Sequence, residues 1–451
     1  MKKTMILVAL MLAVSFSAFA GDIAPTRLDN MRSLGMGRAY TANGVDRIGI
    51  FFYNPAAIQN VDFGKLSIFN FSISLSRDWY DMFDELNDLV DKDLNFDIDK
   101  LDATDPTSQK NKDAWETLEQ VRQTFNGLYD KNGSGYFQNL SNWTNDKSGI
   151  GFAFFVKAGV EIGFNKSTAS EMGLTDAEIN AIDLGAAVVN SDGLYTSGVG
   201  ADISRDPKDN KYFKSTDVFP GLDLKNYVDV GVMATKGFSI ELDKKMRGAD
   251  RPASLDYGVT AKMIQRTSVI DKTINNFEGV SAKAADFVAN ENVDTKYDAV
   301  SETRIGFDIG AILHTKDDLN TRIGVSVIDF ISSDFGDYGK PDAQVNIGLA
   351  FNPFKAIENP FLKDADVAVD IQDFSNSDKS FSQKLKIGIE GTTTNLLTWR
   401  VGYTDKNIST GVNVKLGKLF SLNMAVYSDI QNRFGKDFKT TNYAFQFGAM
   451  F

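Results

Sequence analysis

The stretch SLGMGRAYTANGVDRIGIFFYNPAAI, Ser33 to Ile58, is the least strand-like part of an otherwise strand-rich chain. It begins with Gly35-Met36-Gly37, small residues that allow tight backbone approach. It ends with Asn54-Pro55-Ala56, where the proline fixes φ, lacks a backbone donor and keeps Asn54 extended. A dinucleotide-binding loop would need a third glycine where Tyr40 stands, with a strand before the loop and a helix after it. Because that context is absent, we set the nucleotide-binding interpretation aside.

The residues ahead of this stretch are organised as a Sec-type signal peptide, Met1 to Ala20. Two lysines start it, Met5 to Val14 form an apolar run, and Ala18-Phe19-Ala20 is a small-residue cleavage site. The apolar run is too short to anchor the chain in a bilayer. We therefore expect export, with a mature chain that begins near Gly21.

The composition of the remaining chain favours a β-barrel over a helical membrane protein. No later segment reaches the roughly 18 consecutive apolar residues that a transmembrane helix needs. Phenylalanine (34) and glycine (37) are abundant, proline is scarce (9), and 43% of the residues are hydrophobic. That fraction suits strands that face lipid with every second side chain. A soluble β-rich binding protein remains the alternative, since it would share the low proline content.

Charge and reactive side chains exclude several classes of function. The formal net charge of −12 argues against nucleic acid, which calls for a basic face. The chain has no cysteine, and its one histidine, His314, falls at a predicted strand end without a candidate partner. Its carboxylates are scattered through predicted loops. We therefore predict that the protein is not an enzyme and needs neither a metal nor another cofactor.

Alternating segments recur to the end of the chain. From Thr440 to Phe451, aromatic residues alternate strictly with small and polar residues. Further strands are predicted upstream, with short links that alternate with long ones, as in bacterial barrels. The third strand stays open between Ile182–Val189 and Tyr227–Ala234, the latter followed by a predicted turn at Lys236-Gly237. The fold class is thus all-β: a transmembrane antiparallel barrel of about 14 strands over residues 65–451, preceded by residues 21–64.

A long acidic insert follows the first strand, Lys65 to Ser76. Residues 77–147 contain 16 acidic and 8 basic residues, a net charge of −8. Two amphipathic helical patterns lie in it, at Trp79–Val90 and Asp113–Tyr129. We predict a helical extracellular insert whose apolar stripes pack on each other or leave a groove where a lipid first lands. The candidate capture residues are Phe83, Leu86, Trp115, Leu118 and Phe125.

Part of the insert has the spacing of a calcium-binding loop. The oxygen-bearing residues occupy positions 1, 3, 5, 7, 9 and 12 of such a loop: Asp91, Asp93, Asn95, Asp97, Asp99 and Asp102. However, Phe96 stands where the loop needs glycine, and the last position lacks the bidentate glutamate. We therefore expect a solvated acidic loop here.

The N-terminal stretch resembles the plug, or hatch, of the FadL family (the OMPP1/FadL/TodX superfamily) of outer-membrane transporters. The matching residues are Leu34-Gly35, Gly37-Arg38-Ala39-Tyr40 and Asn54-Pro55-Ala56-Ala57-Ile58. Three C-terminal segments also resemble hairpins of this family and of its PorV-type and TraF-type relatives: Lys386-Ile387-Gly388-Ile389-Glu390-Gly391, Leu397-Thr398-Trp399-Arg400-Val401-Gly402-Tyr403 and Ser409-Thr410-Gly411-Val412. The final Phe451 resembles the signal that outer-membrane barrels present to their assembly machinery.

The resemblance implies a location and an activity. The protein would lie in the outer membrane of a diderm bacterium and take up long-chain fatty acids or other hydrophobic compounds. Residues 21–64 would plug the barrel, and the compound would leave sideways through a wall gap, usually at a kinked third strand. The implied plug motif is Gly35, Gly37, Asn54, Pro55 and Ala56, and Phe51, Phe52 and Tyr53 are candidate pocket walls. The alternative is a PorV-like or TraF-like adaptor or structural protein that binds exported proteins.

Overall fold

The computed structural model describes most of the barrel and much of the N-terminal stretch. The described residues are 28–43, 46–60, 65–79, 81–82, 131–145, 147–164, 187–189, 195–197, 222–242, 253–274, 300–315, 317–336, 339–354, 364–377, 379–394, 396–417, 419–433 and 436–450. The predicted signal peptide, the calcium-like loop, the five capture residues and Phe451 lie outside them. Among the described residues, none of the helices is long and apolar enough to cross a membrane.

Sixteen strands occur in the described residues, and fourteen of them form one closed barrel. The other two, β4 and β5, pair with each other. The strands are β1 (Lys65–Ser76), β2 (Asn132–Asn145), β3 (Ile150–Phe164), β4 (Ala187–Val189), β5 (Tyr195–Ser197), β6 (Leu222–Leu242), β7 (Ala253–Ile274), β8 (Val300–His314), β9 (Arg322–Ser332), β10 (Gln344–Phe351), β11 (Asp364–Ile371), β12 (Leu385–Thr392), β13 (Leu397–Thr404), β14 (Asn407–Leu416), β15 (Phe420–Arg433) and β16 (Lys436–Met450).

The barrel is antiparallel throughout and follows the chain order, with β3 next to β6 and β16 closing on β1. Closure matters because it pairs every strand on both sides and leaves no open sheet edge. The predicted class, an antiparallel barrel of about 14 strands, is confirmed.

The two faces of the wall are reversed relative to a water-soluble protein. In β1, Ser72 and Ser74 are buried, whereas Phe71 and Ile73 are exposed. In β16, Gln446 is buried between exposed aromatic neighbours. Successive side chains of a strand point to opposite faces, so one face of the wall is polar and the other apolar. The apolar face is the outer one, and the polar face lines the interior.

Besides the helical residues 77–79 and 81–82, the described residues form four short helices. They are α1 (Met31–Gly35), α2 (Arg47–Phe52), a 3₁₀ helix (Pro55–Asn60) and α3 (Phe381–Lys384). The first three belong to residues 28–60, which we call the N-terminal segment. This segment packs against the inner faces of most of the barrel strands.

The predicted insert at 77–147 is too long, because its last part belongs to the barrel. Residues 132–145 form β2, which pairs with β1 and β3. The outward row of β2 includes Asn139 and Ser141 beside Phe137 and Trp143. Two polar residues in that row weaken the apolar alternation, so the strand is hard to see in the sequence. Residues 77–79 are helical, and most of the remaining insert lies outside the described residues.

The predicted turn at Lys236-Gly237 is also wrong. β6 continues through it for 21 residues, and both Lys236 and Gly237 pair with β7. The glycine serves a close contact instead, since a Cβ at position 237 would lie 2.4 Å from Cγ2 of Ile58. The prediction missed β2 and divided β6 into two strands. These two errors offset each other, so the predicted number of strands was right.

The third barrel strand does not have the break that the resemblance implies. β3 pairs with β2 and β6 over its whole length without a register shift. Register shifts occur instead in β1, between β6 and β7, and between β8 and β9. Each marks a bulge, where a strand bends and its ladder is interrupted.

Candidate functional site

The N-terminal segment has two halves, residues 28–43 and residues 46–60. Each half starts a helix with a side-chain cap. Asn30 accepts a hydrogen bond from the backbone N–H of Arg32 at 2.9 Å, and α1 follows. Asp46 accepts from the N–H groups of Ile48 and Gly49 at 3.0 and 2.9 Å, and α2 follows. Such caps satisfy N–H groups that lack a partner within the helix.

Glycines of the inner wall bring the N-terminal segment into direct contact with the strands. A Cβ on Gly402 would lie 1.9 Å from the backbone nitrogen of Gly37. A Cβ on Gly258 would lie 2.6 Å from the carbonyl oxygen of Pro55. These positions admit only glycine because the backbone of the segment occupies the space of a side chain. We call the following residues the wall glycines: Gly237, Gly258, Gly310, Gly324, Gly348, Gly388, Gly402 and Gly411.

The wall glycines follow the segment around the barrel. Gly237, on β6, faces Ile58, and Gly324, on β9, faces Thr41 and Ala42. Gly388, on β12, faces Met36, and Gly411, on β14, faces Gly35. Residues 35–42 therefore follow the inner wall from β14 to β9, and residues 54–58 follow it from β8 to β6.

The first half is fixed to the wall by a buried ionic contact. Arg32 donates from Nη2 and Nε to the two oxygens of Glu390, at 2.7 and 2.9 Å. Arg400, on the adjacent strand, donates from Nε to the same carboxylate at 2.6 Å. Burial by itself lowers the pKa of Arg32, but Glu390 and Asp46 raise it above its usual value. The guanidinium stays charged, and the two-pronged contact fixes its orientation.

Three further polar contacts hold the first half. The backbone N–H groups of Tyr40 and Thr41 both donate to one oxygen of Asp370, each at 2.6 Å. The N–H of Gly37 donates to Oγ of Ser409 at 2.9 Å. Arg38 contacts Asp429 at 3.1 Å. These bonds reach different strands and so fix the segment's position along the wall.

The two glycines of the predicted plug motif lie in this half. Gly35 is buried against Gly411 and Arg400. Gly37 has φ of +63° and packs between the backbones of Ile387 and Tyr403. Its conformation and the lack of space both require glycine.

The other three residues of the predicted motif join α2 to the 3₁₀ helix: Asn54 lies between the two helices, and Pro55 and Ala56 begin the 3₁₀ helix. Asn54 is fully buried, and its Oδ1 accepts from the N–H of Ala56 at 3.1 Å. Its Nδ2 donates to the carbonyl of Thr41 at 2.8 Å and lies 3.4 Å from the carbonyl oxygen of Ala311. Asn54 therefore joins the two halves of the segment to each other and to β8.

The second half packs mainly through apolar side chains. Phe51, Phe52 and Tyr53, the predicted pocket walls, belong to one buried cluster with side chains of β2, β3 and β6–β8. The rings of Phe52 and Phe155 meet edge to face at 5.2 Å. The cluster also contains Leu28, Tyr40, Ile48, Ile50, Ala56, Ala57, Ile58, Leu140, Ala153, Met233, Ile264, Ile312 and Phe335. The structure thus brings the three aromatic residues together as tightly packed side chains.

Tyr40 connects the two halves. A Cβ on Gly49 would lie 2.1 Å from the Tyr40 ring, and the Tyr40 hydroxyl accepts from the N–H of Asp46 at 3.2 Å. Burial, and then the charge of Asp46, raise the pKa of the phenol well above its usual value. Tyr40 is therefore neutral at physiological pH.

Two basic side chains of the described inner wall contact a carboxylate of the wall or of the segment. Arg266 contacts Asp229 at 2.7 Å, and its guanidinium also lies over the rings of Tyr227 and Phe335. Lys157 contacts Asp29 at 3.5 Å. The described residues contain no group of three or more His, Cys, Asp or Glu side chains that could hold a metal ion.

The wall residues that hold the segment were not predicted as site residues, although the sequence carried a signal for them. Gly388, Glu390, Arg400, Gly402 and Gly411 all lie in the C-terminal segments that support the family resemblance. The structure gives those segments a common physical role, because each contacts residues 32–37. Asp370 had no comparable signal.

This geometry defines a closed antiparallel barrel whose inner wall carries an ordered N-terminal segment. No family model and no curated protein matches the chain. Solved structures of similar fold include the toluene transporter TbuX of Ralstonia pickettii, at 11% identity and a TM-score of 0.35 over 97% of this chain and 99% of that one. A Pseudomonas aeruginosa FadL homologue is 12% identical, with a TM-score of 0.35 over 96% of this chain and 99% of that one. A TodX monoaromatic hydrocarbon channel mutant is 11% identical, with a TM-score of 0.43 over 93% of this chain and 97% of that one. Likenesses of this size assign neither a family nor a function to this chain.

Proposed function

We propose that this protein takes up hydrophobic compounds, long-chain fatty acids among them, across the outer membrane of a diderm bacterium. The N-terminal segment acts as a plug, and the compound leaves sideways through the wall. The observation that carries the proposal is the combination of an apolar outer face, a polar inner face and an inner wall occupied by the segment.

The outer face supports the membrane location. Outward side chains on nearly every barrel strand are large and apolar, for example Phe69, Val232, Ile305, Val401 and Phe445, and all are exposed. Contiguous exposed apolar surface of this extent is unfavourable in water. A bilayer removes that cost, and a closed barrel satisfies its backbone polar groups without water.

The segment supports a plugged barrel over an open pore. Backbone contacts at the wall glycines and the buried Arg32–Glu390 contact tie it to strands from β6 to β14. A segment held in this way blocks free diffusion of solutes along the barrel axis. The apolar cluster around Phe52 then offers the chemistry that a hydrophobic compound requires beside the plug.

Two measurements test this proposal. The first is mass spectrometry of lipids extracted from the detergent-purified protein, against an unrelated barrel prepared identically. The second is uptake of radiolabelled oleate and of radiolabelled toluene by diderm cells that lack other such channels, with and without the barrel. Enrichment of a specific compound, together with faster uptake of either probe, supports transport. A bulk-membrane lipid profile and unchanged uptake of both probes would refute it.

The same preparation separates transport from the adaptor alternative. A PorV-like or TraF-like protein would yield a stoichiometric exported protein on crosslinking and no enriched compound. The two predicted helices of the insert would have a different role in a transporter than in an adaptor, so their deletion separates the two functions. Removing residues 83–130 should slow initial capture if Phe83, Leu86, Trp115, Leu118 and Phe125 form a landing groove, and should abolish the crosslink if they hold a protein partner.

The C-terminal residue is proposed to direct assembly. Phe451 follows β16, and its removal should leave less folded barrel in the outer membrane. The measurement is the amount of heat-modifiable barrel in isolated outer membranes. An unchanged amount would argue against recognition of this residue by the assembly machinery.

A further inference from the structure

The ladder between β8 and β9 is interrupted where charged side chains replace backbone pairing. Ile309 pairs with Val327, and the next pair is Phe307 with Ile331. Between these pairs β8 contributes one residue, Asp308, and β9 contributes three. The middle one, Asp329, has φ of +55°, which is rare for a residue with a side chain. Its N–H donates to Oδ1 of Asp308 at 2.6 Å, a side-chain bond where a regular ladder would have a backbone bond.

Ion pairs hold this interruption closed from inside the barrel. Lys262 contacts Asp308 and Asp329 at 2.6 and 2.8 Å. Arg304 contacts Asp329 at 2.6 Å and donates to Ser332 at 3.2 Å. Oδ2 of Asp308 is buried without a hydrogen-bond partner, so the cluster is not fully satisfied. Closure here rests on side chains that can exchange partners, whereas a regular ladder rests on backbone bonds.

An apolar groove lies on the outer face beside the same interruption. Its volume is about 430 Å³, and it crosses β6 to β9. Stacked rings of Phe238 and Tyr257, 5.2 Å apart, form one side. Ile309 and Val327, the last pair before the interruption, are among its lining residues. No charged side chain of the described residues lines it.

On the inner side of this wall, residues of the N-terminal segment and of the buried cluster flank the four charged side chains. Gly310 follows the interruption on β8 and lies against Asn54 and Pro55. The buried cluster around Phe52 includes Ile264 of β7 and Ile312 of β8. Apolar residues therefore lie on both sides of the wall near the interruption, and the four charged side chains lie between them.

We infer that the β8–β9 interruption is the lateral opening, and that it passes a neutral apolar molecule from the cluster around Phe52 to the outer groove. Its closed state is held by the ion pairs among four residues, which we call the latch: Lys262, Arg304, Asp308 and Asp329. This inference rests on the proposed uptake function and gives it a location away from the third strand.

An engineered disulfide between β8 and β9, which we call a clip, tests the location of the opening because reduction reverses it. Phe307 and Ile331 are opposed in an antiparallel pair, where Cα atoms are about 4.5–5.5 Å apart, a distance that a disulfide spans. The natural chain has no cysteine, so Phe307→Cys with Ile331→Cys adds the only two thiols. Val401→Cys with Thr410→Cys, an opposed pair on β13 and β14, is the matched control clip. The probe is whichever of radiolabelled oleate and toluene the unmodified barrel takes up.

Oxidation of the β8–β9 clip should slow uptake by roughly tenfold, and reduction should restore it, because a gate that cannot open limits the flux. Oxidation of the control clip should leave uptake unchanged. A fully formed β8–β9 disulfide with undiminished uptake would overturn the inference and leave the uptake function standing. If the unmodified barrel itself takes up neither probe, that result refutes both the proposed uptake function and the inference of an opening at β8–β9.

A latch variant gives a second test. Asp329→Asn keeps the shape of the side chain but removes its charge from Lys262 and Arg304, so we expect faster uptake. Lys379→Gln, which removes the 2.8 Å partner of Asp373 away from β8, β9 and the N-terminal segment, should not speed uptake. Equal rates for the two variants would count against the latch, and the clip decides the question if Asp329→Asn does not fold.

Discussion

The two halves of the N-terminal segment differ in the share of ionic and hydrogen-bonding contacts that they make with the wall. Residues 28–43 meet the wall through small apolar clusters around Met31 and Met36 and also through charged and hydrogen-bonding groups, with Arg32 on Glu390 and two N–H groups on Asp370. Residues 46–60 meet it through the apolar cluster around Phe52. Directional contacts fix one geometry, whereas apolar packing is non-directional and tolerates rearrangement. On the proposed uptake function, we therefore expect the first half to act as the anchor and the second half to adjust to a passing molecule.

The largest effect is expected at the wall glycine that faces the anchor. Alanine at position 402 would place its Cβ 1.9 Å from the Gly37 nitrogen and 2.2 Å from the carbonyl carbon of Met36. Both are backbone atoms, so the wall or the segment must move. We expect Gly402→Ala to cost at least about 3 kcal/mol, the upper range for overpacking, measured as a lower thermal midpoint in detergent.

Gly448→Ala is the matched control for this overpacking. Gly448 also faces the barrel interior, but its nearest neighbour is a side-chain oxygen, Oγ of Ser421, at 3.2 Å. That side chain can rotate away. Equal midpoints for the two variants would mean that the glycine contacts do not hold the segment.

The next effect tests the ionic part of the anchor. Glu390→Gln leaves Arg32 and Arg400 as buried charges without their shared carboxylate. Breaking a buried pair in this way costs about 3–5 kcal/mol. Unfolding in urea should report the loss, and limited proteolysis should cut residues 28–43 sooner.

An exposed pair provides the comparison for Glu390→Gln. Lys379 contacts Asp373, but its side chain is 46% exposed. Lys379→Gln should cost only about 0–1 kcal/mol. If Glu390→Gln costs no more than this exposed pair, the anchor is not ionic.

The sequence predicted the barrel well because alternation is a local property. Ser72 and Phe71 differ in polarity, and their positions in β1 decide which face each takes. The same signal failed for β2, where Asn139 and Ser141 stand in the outward row. It also failed at Gly237, because a glycine that admits Ile58 has the same appearance in a sequence as a glycine that turns a chain.

The anchor could not be predicted as a site because its partners are distant in the chain. Arg32 and Glu390 are separated by 358 positions. Periodicity indicates that Glu390 lies on one face of a strand but does not indicate what it meets. The family resemblance includes four of the residues that hold the segment, but it did not indicate that they contact it: Gly388, Glu390, Arg400 and Gly402. Only the register of the barrel brings them against the segment.

A smaller effect is expected where the halves are joined. Asn54→Ala removes the bond to the Thr41 carbonyl and leaves that buried acceptor without it, which costs about 1–3 kcal/mol. We also expect slower uptake, since the turn would no longer be held to residues 28–43. Asn60→Ala is the comparison: Asn60 is exposed and donates to Asp256 at 3.0 Å, so its loss of thermal stability should be the smaller of the two.

The smallest effect separates the two halves most sharply. Phe52→Leu keeps most of the apolar volume, and a swap of this kind usually costs less than about 1.5 kcal/mol. Its edge-to-face contact with Phe155 adds about 0.5–1.5 kcal/mol of coupling, which a cycle with Phe155→Leu would measure. If the second half is the adjustable part, Phe52→Leu should change the preference between oleate and toluene while the barrel keeps nearly its full stability. A stability loss as large as that of Glu390→Gln would instead mean that both halves are rigid anchors, and the adjustable part would then have to be the β8–β9 wall alone.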